Sequence, residues 1–239
     1  MLASLKTKNV LLTGASGGIG ESLALELARS GCNLFLTGRN EEKLRLLKNN
    51  ILSTKEDVRV YYKSCDLEKE DDLKSLVSNI RDTIRSVDIL INCAGVFIVK
   101  PICETTVEDY EKCFNVNVKA PFFLSKVFSK DMIEKKWGRI VNIGSSSSYN
   151  GYKETSLYCA SKHALLGISR SLYDELKDHN IKTFCFSPGS VKTKMGKKVK
   201  NQDFSTFIEP EELSRYITLT ISFDSDMITE EVRVNRFNI

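Results

Sequence analysis

The sequence lacks the side chains that build a metal centre. It has two histidines, His163 and His179, and neither stands at ligand spacing from a second histidine or a cysteine. Its seven cysteines, at 32, 65, 93, 103, 113, 159 and 185, form no CxxC pair. The count is odd and no Cys/His cluster appears, so they read as scattered reduced thiols of a cytoplasmic protein. There is no basic tract. The net charge of +4 is spread along the chain, which argues against nucleic acid as a partner. No apolar run is long enough to cross a bilayer, and the opening stretch MLASLKTKNV has no apolar signal-peptide core. Neither a membrane nor a secreted location is expected. Repeats, low-complexity segments and linkers are also missing. The 239 residues therefore suit one domain over 1–239, large enough for a proper core.

What the chain does have is alternation. Short apolar runs at 9–14, 33–38, 58–62, 87–95, 139–145, 181–189 and 230–237 predict strands. Amphipathic stretches at 19–31, 41–52, 69–84, 106–135, 156–179 and 210–221 predict helices, the fourth bent near Pro121. Strands alternating with helices imply an α/β fold, a parallel sheet covered on both faces. Residues 190–209 show no period and read as a basic loop or short helices.

Where the first strand turns into a helix the sequence is TGASGGIG, with Gly14, Gly17, Gly18 and Gly20. Glycine lets a ligand approach the backbone, and a helix N-terminus offers free N–H groups, so this turn is a pyrophosphate site. Its spacing is neither GxGxxG nor a P-loop. The second strand ends in LTGRN, with Arg39 where an acid would grip ribose hydroxyls; an arginine there accommodates a 2′-phosphate and favours NADP(H) over NAD. Asp66 follows the third strand and is placed to accept from an adenine amino group or to cap a helix. NCAG (92–95), Ser145 with the serines after it, and SPGSVKT (187–193) end three further strands at the same sheet edge. Between the last two lies YCASK. Tyr158 and Lys162 are one turn apart on one helix face, and an ammonium there would lower the phenol pKa toward proton exchange near neutrality.

TGASGGIG, NCAG, YCASK and SPGSVKT, in this order and at these intervals, resemble the short-chain dehydrogenases/reductases over roughly residues 5–236. The resemblance implies a doubly wound, Rossmann-type, mostly parallel sheet of seven strands. It implies hydride transfer between a nicotinamide and a small carbonyl or alcohol. It implies Tyr158 as general acid or base and Lys162 as the group that lowers its pKa and holds the ribose. Ser145 would orient the substrate oxygen. Of Asn115 and Asn117, the register of NVKA selects Asn117, which would hold a proton-relaying water. Gly14, Ser16, Gly18, Ile19 and Gly20 match cofactor-contact positions in the first turn. Arg39, Asp66, Leu67, Asn92, Ala94 and Gly95 match those after the next three strands. Pro188, Gly189, Val191 and Thr193 match those after the sixth, and Tyr158 and Lys162 complete the set. The family also implies a homodimer or homotetramer built through the long helices. The ending ITEEVRVNRFNI lacks the DGG of the acyl-carrier-protein and sugar branches. It looks more like branches reducing hydroxy-acid, aldehyde or pterin-type carbonyls.

Two other readings compete with a carbonyl reductase: a non-catalytic NADP(H)-binding regulator of the same fold, and an NAD-linked alcohol dehydrogenase. The retained Tyr158 and Lys162 oppose the first, and Arg39 opposes the second. Substrate choice is expected in 96–102, 146–155 and 190–208. Phe97, Tyr149, Tyr152 and Met195 are candidate apolar lining there. Lys192, Lys194, Lys197, Lys198 and Lys200 are either an anion-attracting group or a solvated loop.

Overall fold

The computed structural model describes residues 4–199 and 202–237. Its strands are β1 (Asn9–Thr13), β2 (Asn33–Gly38), β3 (Val60–Ser64), β4 (Ile89–Asn92), β5 (Gly138–Ile143), β6 (Ile181–Pro188) and β7 (Glu231–Val234). They form one sheet in the order β3-β2-β1-β4-β5-β6-β7. Each neighbouring pair is parallel, so the sheet is parallel throughout. The helices are α1 (Gly18–Arg29), α2 (Glu41–Thr54), α3 (Glu70–Ile84), α4 (Val107–Phe114), α5 (Ala120–Lys135), α6 (Ser156–Leu176) and α7 (Pro210–Ile221).

Side chains alternate along each strand, and here both faces are apolar, which is why the strands read as unbroken hydrophobic runs. Leu12, Leu34, Leu36, Ile91 and Val141 pack with α1, α2 and α7. Leu11, Phe35, Leu90 and Ile140 pack with α3, α5 and α6 on the other side. Local signals set the helix starts. The Asn40 side chain accepts from the Lys43 N–H at 2.9 Å to cap α2. Thr106 and Asp109 form a reciprocal capping box on α4. No helix among the described residues is long and apolar enough to cross a membrane.

Several boundaries differ from the sequence reading, three strands among them. β3 lies two residues later than expected, β4 is cut to four residues, and β7 spans only Glu231–Val234. β4 ends early because the Thr13 hydroxyl accepts from the Cys93 and Ala94 N–H groups at 3.1 Å each, pulling the following turn over the tip of β1. The long helix breaks before Pro121 rather than at it. Residues Asn115–Lys119 form a π-turn, with the Ala120 N–H donating to the Asn115 carbonyl, and Pro121 lies in the first turn of α5. Pro121 offers no N–H to the Asn117 carbonyl four residues back, and the wider turn absorbs that missing bond. The unperiodic segment contains short 3₁₀ turns at Gly196–Lys198 and Phe204–Thr206, joined by a bridge between Val191 and Ile208.

The chain runs outward from β1 to β2 and β3, then returns to β4 on β1's other side. A crevice opens where that reversal occurs, at the carboxyl ends of the strands.

Candidate active site

A cleft of about 1190 Å³ occupies that crevice. Small-ligand sites run to about 1,000 Å³, so it has room for a dinucleotide. Every cofactor position expected from the sequence lines it except Asn92. Its floor is the glycine turn. Gly14 has φ +69, and a Cβ there would stand 2.7 Å from the Ala94 backbone. A Cβ on Gly38 would meet the Ser16 hydroxyl at 2.8 Å, so β2 can end hard against the turn. The α1 N-cap, Gly17, makes no side-chain cap bond, which leaves the first-turn N–H groups of α1 for a ligand. Gly20 is the tightest point: a Cβ would lie 2.2 Å from the Gly14 carbonyl oxygen. Gly20→Ala is expected to cost about 1–3 kcal/mol of stability through this backbone clash, read as a lowered midpoint in thermal unfolding.

At the β2 end, Arg39 is exposed and lines the cleft. Lys43 lines it too. The sequence reading missed Lys43, although a second cation four residues after Arg39 was a visible signal. The glycine cradle and these two cations fit a dinucleotide that bears a ribose phosphate. Asp66 lines the cleft beside Leu67, and one carboxylate oxygen accepts from the Glu68 N–H at 3.3 Å. Asp66 is therefore a cleft residue that also closes a local turn; the N-cap of α3 is Lys69. Asn92 does not line the cleft. Its side chain is buried under the strand ends and donates to the Asn142 Oδ1 at 2.8 Å; Asn142 in turn donates to the Ser169 hydroxyl at 2.9 Å. It ties β4 to β5, and through Asn142 to α6, instead of facing the cleft.

Tyr158 and Lys162 sit on the cleft-facing side of α6 and are 8% and 4% exposed. Ser145 follows β5, and its Oγ accepts from the Ser147 N–H at 3.1 Å. The Ser145 hydroxyl stands near enough to the Tyr158 phenol to oppose the effect of burial on its pKa, and no other serine of 145–148 does so. Phe97 packs edge-on against the Tyr158 ring with centroids 4.7 Å apart. The pKa expectation is overturned. Burial pushes Tyr158 up to about 12, and the Ser145 hydroxyl opposes this only in part. Burial lowers the pKa of Lys162 as well. Its Nζ lies 5.7 Å from the Tyr158 ring centre and donates to the Ile143 carbonyl at 2.7 Å.

Asn117 is fully buried in the π-turn and does not line the cleft. Its Oδ1 accepts from the Val96 N–H at 2.8 Å, and its Nδ2 donates to the Val96 carbonyl and the Ser161 hydroxyl at 3.0 Å each. These bonds fix the side chain and leave one Oδ1 lone pair uncommitted. Asn117 clamps the 95–97 segment that carries Phe97. Asn117→Ala would remove the partner of the half-buried Val96 N–H and C=O, at a cost of up to about 1–3 kcal/mol, less where water reaches the freed groups.

The far part of the cleft is lined by Phe97, Val99, Tyr152, Met195 and Phe204, with Lys153, Lys194, Lys197 and Lys198. Tyr149 is not among them. Its hydroxyl donates to Glu231 at 3.0 Å, and the Arg233 guanidinium stacks 3.4 Å over its ring. Lys192 lines the cleft but is ion-paired with Glu209. Lys200 lies outside the described residues.

Comparison with known proteins agrees with this geometry. Residues 8–203 match the family model described as short chain dehydrogenase. A 3-oxoacyl-acyl-carrier-protein reductase of Rickettsia typhi is 32% identical over 209 residues, covering 87% of this chain and 83% of that one. An uncharacterized oxidoreductase of Staphylococcus saprophyticus is 33% identical over 192 residues, covering 80% and 82%. A solved metagenomic short-chain oxidoreductase in complex with NADP superposes with a TM-score of 0.86 at 29% identity, over 98% of this chain and 99% of that one. With its sheet order, glycine cradle and matched span in agreement, the chain belongs to the short chain dehydrogenase family and is an oxidoreductase working with a nicotinamide dinucleotide.

Proposed function

We propose that the protein is an NADPH-dependent reductase of small carbonyl compounds, with Tyr158 as the proton donor. The observation that carries this is that the buried Tyr158, with Ser145 beside its phenol, lines the same cleft as Arg39 and Lys43. NADPH, when bound, supplies the hydride that reaches the carbonyl carbon. Arg39 and Lys43 grip its 2′-phosphate, and the open end of α1 takes the pyrophosphate. Ser145 has its Oγ lone pair on the Ser147 N–H, so its own proton is available to the substrate oxygen. Tyr158 gives its proton to the same oxygen as negative charge builds there. Lys162, anchored by the Ile143 carbonyl, keeps two further N–H donors for ribose hydroxyls.

The raised pKa of Tyr158 favours the reductive direction. A phenol near 12 is protonated at neutrality, which is the form a proton donor needs. The reverse reaction needs the phenolate. Alcohol oxidation is therefore expected to rise with pH between about 6 and 10, while carbonyl reduction does not rise. Initial rates in both directions across that range check this; an oxidation rate that falls with pH contradicts it. Ser145 is tested against its neighbour. Ser145→Ala should remove most turnover and Ser146→Ala should not; the opposite result would give the role to Ser146.

A further inference from the structure

The cleft carries two separate groups of cations. Arg39 and Lys43 stand at the β2 end and are accounted for by the ribose phosphate. Lys153, Lys194, Lys197 and Lys198 belong to the segments after β5 and β6 and line the cleft together with Phe97, Tyr152, Met195 and Phe204. Lys192 beside them is neutralised by Glu209, but none of these four meets a carboxylate among the described residues. Glu154, the acid that lines this end, is already engaged. The Lys197 ammonium lies 5.5 Å over the Phe204 ring, which holds that charge on an aromatic face of the cleft wall. Ammonium groups gathered on one wall repel each other, and a bound anion relieves that repulsion.

We propose that the substrate bears a carboxylate or phosphate, held by Lys194, Lys197 and Lys198, while its carbonyl meets Tyr158 and its apolar body lies against Phe97 and Tyr152. The inference rests on the carbonyl-reductase reading and names the substrate class of that site. The lysines are exposed on the same cleft that holds Tyr158, which favours a small anion able to reach both over an acidic protein surface.

The test uses matched pairs that differ only in charge. With NADPH, 4-carboxybenzaldehyde and methyl 4-formylbenzoate are compared as substrates. With NADP⁺ present, 4-(hydroxymethyl)benzoate and its methyl ester are compared by calorimetric titration. The acid is expected to lead its ester by about tenfold or more in kcat/KM and in affinity, the scale of one charge-assisted hydrogen bond. Added salt should shrink that lead. In Lys197→Glu/Lys198→Glu the acid-to-ester ratio should fall toward one. Equal binding of acid and ester by the wild type overturns the proposal; if poly-glutamate then inhibits in a salt-sensitive way, the site serves an acidic protein. A ratio unmoved by the double charge reversal also overturns it, as does an NADPH Kd weakened in the variant by the factor expected for the acid. Tighter binding of the acid with no turnover of either aldehyde supports the anion site and removes the reductase reading instead.

Discussion

Tyr158→Phe is expected to lower kcat by roughly a hundred- to ten-thousandfold, the usual contribution of a positioned proton donor. The change removes one hydroxyl. It keeps the ring that packs edge-on against Phe97 and the burial that fixes the start of α6. The thermal midpoint should therefore stay close to that of the wild type, which separates lost chemistry from lost folding. The loss should also be one of kcat more than of KM, because the proton is needed most in the transition state. A variant that keeps a tenth or more of wild-type turnover would remove Tyr158 from the reaction. Stopped-time assays over a panel of aldehydes, diketones and 3-oxo esters provide the reading.

Arg39→Asp is expected to have the second largest effect, on cofactor choice. Arg39 is exposed at the tip of β2 and lines the cleft, so removing it should leave the core unchanged. One charge-assisted contact to a phosphate is about 1.5–3 kcal/mol, so NADPH should bind roughly ten- to a hundredfold more weakly. The new carboxylate is placed to accept from ribose hydroxyls and to repel a 2′-phosphate, so NADH should gain. Lys43 remains in the same wall and keeps part of the NADPH affinity. Adding Lys43→Ala should deepen the shift. The ratio of catalytic efficiencies with the two nucleotides checks this, and an unchanged ratio contradicts it.

The sheet was legible because each strand is buried on both faces and each is followed by a periodic helix. Positions on the cleft wall were also legible wherever the backbone itself, or a side chain at a strand tip, does the binding: Gly14, Arg39, Ala94 and Thr193 all line it. What the motifs did not state was side-chain direction. Asn92 and Asn117 sit at motif positions, but a strand end and a π-turn rotate them into buried hydrogen bonds with Asn142 and Val96. Those partners are 50 and 21 residues away in sequence, out of reach of any local spacing rule. Tyr149 was turned outward by Glu231, 82 residues on. The Tyr158 pKa failed for another reason. The spacing of YCASK states that an ammonium is near but not how little water surrounds the phenol, and burial dominates. Substrate identity was the least legible, because it depends on segments without period.

The most direct test of the account is NADPH consumption by the wild-type protein. NADPH and NADH are each titrated for affinity, then NADPH is mixed with the carbonyl panel while nucleotide oxidation and alcohol formation are followed together. The account predicts tighter binding of NADPH than NADH, and one alcohol formed for each NADPH oxidised. Tight NADPH binding with no oxidation over any carbonyl would contradict it and leave a nucleotide-binding regulator in its place.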